Sequence, residues 1–164
     1  MSSRKGSATG LPVVYDRAAG VDIGSRFHVV AVGADLCEEP VQTFQAFTSD
    51  LERMADWLVA TGIKTVAMES TGVYWVPVYE VLESRGLEVV LANAREARAV
   101  PGRKSDVNDA QWLQRLHACG LLRASYRPAP DIAALRIYLR LRERHLDYAA
   151  AHIQHMQKAL TFMN

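Results

Sequence analysis

Four carboxylates in this chain have the side-chain type and the setting that metal-assisted chemistry uses. Asp22 lies in GVDIGS, Glu69 closes the apolar run TVAME, and Asp106 and Asp109 stand three residues apart in SDVND. Ionised carboxylates only accept hydrogen bonds, and gathered in one place they repel unless a cation lies between them. Hard divalent ions such as Mg²⁺ take these oxygen donors in octahedral geometry and keep positions for water and a substrate phosphate. Two such ions roughly 3.5–4 Å apart can stabilise the attacking and leaving oxygens of a phosphoryl transfer. Each residue alone has a plainer explanation. Asp22 could belong to a turn after a strand, and Ser105-Asp106 reads readily as a helix N-cap with an acidic first turn. Glu69 resists this, because ending an apolar strand on a carboxylate is costly unless the charge is paired or metal-bound. The set is more specific than its members.

The elements that would carry these residues follow from periodicity and punctuation. Between Val13 and Val32, short apolar runs broken by Gly20, Gly24 and Ser25 predict two strands joined by a tight turn, GVDIG then FHVVAV. VQTFQAF alternates with period two and predicts a third strand. Ser49 or Asp50 is the expected cap of a helix with apolar positions Leu51, Met54, Ala55 and Leu58, ended by Gly62. A buried strand TVAMES, a helix over 74–84 and a strand LEVVLA come next. A further helix is expected from Ser105 to Cys119, closed by Gly120, and it would turn Asp106 and Asp109 to one side. Hairpin-linked strands followed by alternating strands and helices predict a mixed α/β sheet flanked by helices. That order suits an RNase H-like sheet better than a doubly wound nucleotide-binding one.

Beyond Pro128-Ala129-Pro130 the period changes. Ile132, Leu135, Leu139, Leu146, Ala149, Ile153, Met156, Leu160 and Met163 alternate by three and four, with Arg142 at the missing position. This heptad seam predicts a coiled-coil-type helix over 131–164 that pairs with a second copy. The alternative is a terminal helix packed on its own domain. The seam runs uncapped to the last residue, and the natural protein is expected to continue. Residues 1–16 are expected to form a flexible leader, and 17–127 the carboxylate-bearing domain.

Net charge is only +1, yet residues 95–144 carry eleven arginines and lysines against five acids, a net of +6, leaving −5 for the remainder. Arginine engages phosphate bidentately, so an arginine-rich half suits nucleic acid, although solvated helix faces would also carry such charges. Cys37 and Cys119 have no C-x-x-C spacing, which argues against a disulfide framework or a zinc site and for a reducing cytosol. No apolar run approaches the roughly 18 residues of a membrane span, and the polar start MSSRKGSATGLP lacks a secretory apolar region.

GVDIGSRFHVVAV, AMESTGVYWVPVYEVLE and GRKSDVNDAQWLQRL, in that order, together with LRIYLRLRERHL, resemble the DEDD transposases. These are the bridge-RNA-guided insertion-sequence recombinases related to Piv-type DNA invertases. The likeness covers roughly residues 18–160. It implies a RuvC-like fold, with Asp22, Glu69, Asp106 and Asp109 as the catalytic tetrad binding Mg²⁺ or Mn²⁺. It implies further a structured guide RNA pairing with target and donor DNA, action at the bacterial nucleoid, and a C-terminal domain with a serine nucleophile. No such domain lies within these residues, so the isolated chain is expected to hold metal without recombining DNA. One departure is ANAREAR, where the family commonly has Asn-Pro, and this affects no ligand.

Arg98, Arg103, Lys104, Arg136 and Arg140 are the expected nucleic-acid contacts, the middle pair because it adjoins the acidic site. Tyr74 and Trp75 could stack on a nucleobase, but aromatics at a helix start more often serve core or interface. His145, His152 and His155 align two at a time at best, too few for a metal site. Ser25 and Ser70 have no general base nearby and read as turn and cap residues. Two other functions compete. A RuvC-like Holliday-junction endonuclease would share the tetrad, and an actin-like sugar or acetate kinase also begins with strand and DIG. The kinase requires a second glycine-rich phosphate segment, which this sequence lacks.

Overall fold

Alternation of apolar residues along three successive segments builds the first half of the sheet. The computed structural model describes residues 12–69, 72, 74–93, 108–125 and 127–163. Strands β1 (Ala18–Ile23), β2 (Phe27–Ala31) and β3 (Val41–Gln45) pair antiparallel in sequence. Helix α1 (Thr48–Ala60) leads to β4 (Thr65–Glu69), which pairs parallel to β1. Helix α2 (Trp75–Ser84) then leads to β5 (Glu88–Ala92), parallel to β4. The spatial order is β3-β2-β1-β4-β5. This five-stranded mixed sheet with flanking helices is RNase H-like, as its element order predicts.

The two faces of the sheet differ in side-chain size, and that difference decides what packs where. One face presents Val21, Val30, Phe44, Val66, Met68 and Leu91 to Leu51, Met54, Leu58, Val78 and Leu82 of α1 and α2. The other face presents small residues, Ala18, Gly20, Ala31 and Ala67. Helix α3 (Asp109–Ala118) lies on it. A Cβ at Gly20 would fall closer to the Ala110 carbonyl oxygen and the Gln114 amide nitrogen than real Cβ atoms come to anything. Backbone therefore meets backbone there, which only glycine permits. The Gln114 side-chain amide donates to the Ala18 carbonyl at 3.3 Å, and Val14 and Tyr15 donate their N–H groups to the Ala118 carbonyl at 2.7 and 2.9 Å. Those last two bonds fall within the stretch expected to be a leader.

Two expected helix starts move. Helix α1 begins at Thr48 behind an extended Phe47 with no side-chain cap, so neither Ser49 nor Asp50 is the cap. Asp50 instead pairs with Arg53 at 2.9 Å. The described helix α3 begins at Asp109 rather than Ser105. Asn108 is extended (ψ 162°) and its side chain accepts the Gln111 N–H at 2.7 Å, which makes it the N-cap. Asn108 is not helical, so α3 does not extend back to Asp106, which lies outside the described residues. Among the described residues, α1 and α3 end at the expected Gly62 and Gly120, and α2 ends in the same way at Gly86. Gly62, Gly86 and Gly120 adopt positive φ, and Ile63, Leu87 and Leu121 each donate back five residues, closing a Schellman motif.

Residues 1–125 and 126–164 form two compact units. The second is dominated by α4 (Pro130–Phe162), 33 residues and about 50 Å long. Proline at its first position has the φ a helix needs and no N–H to satisfy. Its apolar seam is exposed, Leu139 at 54%, Ile153 at 55% and Met156 at 65%. Among the described residues no helix is long and apolar enough to cross a membrane.

Candidate functional site

The β1–β4 register brings two of the four carboxylates together. Val21 is the partner of Met68, and the next positions along both parallel strands are Asp22 and Glu69. In-register residues of a parallel pair point to the same side, and neighbouring strands lie about 4.8 Å apart. That side is the small-residue face, because Asp22 follows Gly20 by two positions and Glu69 follows Ala67 by two. Both residues are partly buried at the C-terminal ends of their strands.

Helix α3 points its N-terminus toward the same end. Gln114 bonds near the start of β1, at Ala18, Ala110 abuts Gly20 farther along, and Asp109 precedes Ala110. The helix thus runs antiparallel to β1 and carries partly buried Asp109 on its first turn, where the helix dipole favours an anionic group. Among the described residues no group of three or more His, Cys, Asp or Glu side chains is close enough to hold a metal ion. Asp106 lies outside the described residues, as do Arg98, Arg103 and Lys104. Arg136 and Arg140 are exposed on α4.

At the opposite end of α3 a polar contact that sequence reading passes over holds the helix down. His117 is 3% exposed, its Nε2 lies 2.8 Å from the Thr65 hydroxyl, and its ring stacks on Tyr15 with centroids 5.3 Å apart. Its one signal in the sequence is its place in the stripe of Leu113 and Leu116, at helical spacing. Burial lowers its pKa from 6.5 to about 4. The unfolded imidazole therefore takes up a proton near pH 6.5, while the folded one stays neutral until about pH 4. Stability is fully present above pH 6.5 and falls as pH drops through this window, by about 3 kcal/mol at the lower limit. Urea unfolding of the wild type at pH 7 and pH 4.5 should show this loss, and His117→Phe should reduce the difference while leaving the part due to His28, which is also buried with a lowered pKa. An equal pH dependence in both proteins would count against the burial of His117.

Trp75 meets Tyr79 edge-on at 6.0 Å and packs partly into the α1–α2 core, as its position at a helix start suggests. Tyr74 is exposed instead. The three α4 histidines are all exposed, and His152 meets His155 edge-on at 6.5 Å.

No curated protein matches the chain significantly. A family model of the DEDD transposases of IS110 type, described as "Transposase", matches residues 19–164. That span includes every strand of the sheet except the first residue of β1, the paired Asp22 and Glu69, and helices α3 and α4. With the RNase H-like sheet and a match over nearly its whole length, the chain belongs to the IS110-type DEDD transposase family, and DNA is its substrate.

Proposed function

We propose that this chain is the metal-holding, RuvC-like part of a DNA transposase, which positions a DNA phosphate for strand cleavage and exchange guided by a structured RNA. The observation that supports it best is the register that sets Asp22 beside Glu69 on the face approached by the N-terminus of α3. Their donor chemistry fits a hard cation, because every candidate ligand offers carboxylate oxygen. Asp22, Glu69, Asp109 and Asp106 are the proposed ligands of Mg²⁺ or Mn²⁺, in the order of acids that the family's name spells. When bound, such ions would neutralise charge developing on the attacking and leaving oxygens of the phosphodiester.

The chain's own groups would do the rest. The positive end of the helix dipole at the start of α3 favours a phosphate oxygen. Arg98, Arg103 and Lys104 precede that helix in the sequence and are proposed contacts to the nucleic-acid backbone, and Arg136 and Arg140 on α4 are proposed contacts as well. The exposed seam of α4 is the proposed coiled-coil contact with a second copy.

Calorimetric titration with Mn²⁺ tests the central point. Wild-type protein is expected to bind, and Glu69→Gln to bind at least about tenfold more weakly; equal affinity for both would refute the proposal. A second expectation concerns salt. If the +6 segment over 95–144 neutralises about six phosphates, log K for DNA falls with log salt at a slope of about −5. A slope near zero would remove the arginine-rich segment from the interface.

A further inference from the structure

Exposed aromatic side chains in the α/β unit are distributed unevenly. Among its described residues four are exposed, Tyr15 at 44%, Phe27 at 49%, Phe47 at 68% and Tyr74 at 52%. Tyr15 stacks on His117 at the end of α3 away from the carboxylates. The other three lie toward the opposite end of the sheet. Strand β2 runs antiparallel to β1, so Phe27, its first residue, stands where β1 ends. The Ala46 N–H donates to the Arg26 carbonyl at 3.0 Å, which sets Phe47 one residue from that corner. Helix α2 must start near the end of β4, because the strand it leads to is parallel to β4, and Tyr74 immediately precedes it.

Phe27 is the best placed of the three. Asp22 is the partner of Val29, and Phe27 lies two residues from Val29 on the same strand. Alternation puts Phe27 on the same face as Asp22, as its diagonal neighbour at about 7–8 Å. That reach is comparable to the separation of a phosphate from the base of its own nucleotide. Scattered apolar residues on a surface need no explanation. A half-exposed phenyl ring beside a carboxylate pair, with exposed Arg26 next to it, offers a π-face and a cation at one corner. Duplex bases cover one another's faces, whereas unpaired bases present theirs.

We infer that Phe27, with Tyr74 and Phe47 toward the same end of the sheet, is a stacking platform for unpaired deoxynucleobases adjoining the scissile phosphate, so that the site prefers melted DNA to duplex. This rests on the carboxylate reading above. The probe is 2-aminopurine in the unpaired stretch of an otherwise duplex oligodeoxynucleotide, with full duplex and single-stranded RNA of the same sequence for comparison. Wild-type protein quenches the probe in the unpaired DNA and binds that DNA about tenfold or more tightly than duplex. Phe27→Leu loses both the quenching and the preference, and Phe27→Trp keeps them. Circular dichroism of Phe27→Leu reports separately that the fold is intact. Quenching by Phe27→Leu equal to wild type, no preference over duplex, or quenching of the RNA alone overturns the inference. Mn²⁺ titration separates the two readings. Protein that quenches but binds no Mn²⁺ keeps the platform and loses the carboxylate assignment, and protein that binds Mn²⁺ without Phe27-dependent quenching does the reverse.

Discussion

Gly20→Val is expected to destabilise the protein by about 3 kcal/mol or more and to weaken Mn²⁺ binding with it. The added side chain would meet the Ala110 carbonyl and the Gln114 backbone, not the movable end of a flexible side chain. Relief requires α3 to lift from β1. Lifting it strains the Gln114 bond to Ala18, the bonds from Val14 and Tyr15 to Ala118, and the His117 contact with Thr65. It also opens the small apolar cluster of Ala92, Trp112, Leu113 and Leu116. Overpacking a core commonly costs 1–3 kcal/mol, and clashes against backbone fall at the upper end or beyond. Gly20→Ala should act in the same direction by a smaller amount. Urea midpoints and Mn²⁺ affinity for the three proteins provide the measurement. A Gly20→Val midpoint equal to wild type would mean that α3 does not rest on β1.

Why Gly20 matters could not be read from the chain alone, although the elements around it could. GVDIGSRFHVVAV shows a hairpin because its turn residues and apolar runs are local, and both strands are found. The Asp22–Glu69 pairing was also within reach, since strands ending in acids at the edge of apolar runs suggest a parallel pair. What failed was local competition between similar signals. Ser105-Asp106 and Asn108-Asp109 are both good helix starts, and Ser49 and Asp50 compete with a plain extended Phe47 at α1. Only packing chooses among them. His117 and Thr65 lie far apart in sequence, so no periodicity could reveal their hydrogen bond. Asp106, the fourth expected ligand, falls outside the described residues.

Asp22→Asn is expected to remove metal binding and, in a transposition-competent protein that carries this domain, to reduce transposition by at least about a hundredfold, the order of effect of deleting one well-placed electrostatic group from a catalytic centre. Asparagine keeps the shape and one carbonyl oxygen but lacks the charge a hard cation needs. The change should be visible without any DNA. A ligand present at a hundred times its dissociation constant stabilises the folded state by about 2.7 kcal/mol, so Mn²⁺ should raise the melting temperature of wild type. The same addition should leave Asp22→Asn nearly unmoved, and Glu69→Gln should behave alike. Asp106→Asn extends the test to the position before the Asn108 cap. Undiminished transposition by Asp22→Asn would dismiss the tetrad, whereas loss of transposition with an intact Mn²⁺-induced melting shift would place Asp22 outside the metal shell.

The three described acids reach one end of the sheet from positions 22, 69 and 109, carried by a parallel strand pair and a helix that closes over it. During synthesis at roughly 5–20 residues per second, Asp109 follows Glu69 out of the ribosome by about 2–8 s, and α3 needs still more chain before His117 can dock. Parallel pairing across so long a connection is also slow to form. A nascent chain therefore brings Asp109 to the strand ends of Asp22 and Glu69 only after residue 118 has emerged and α3 has docked on the sheet. The proposed metal site is in this way completed after the sheet that carries its first two acids.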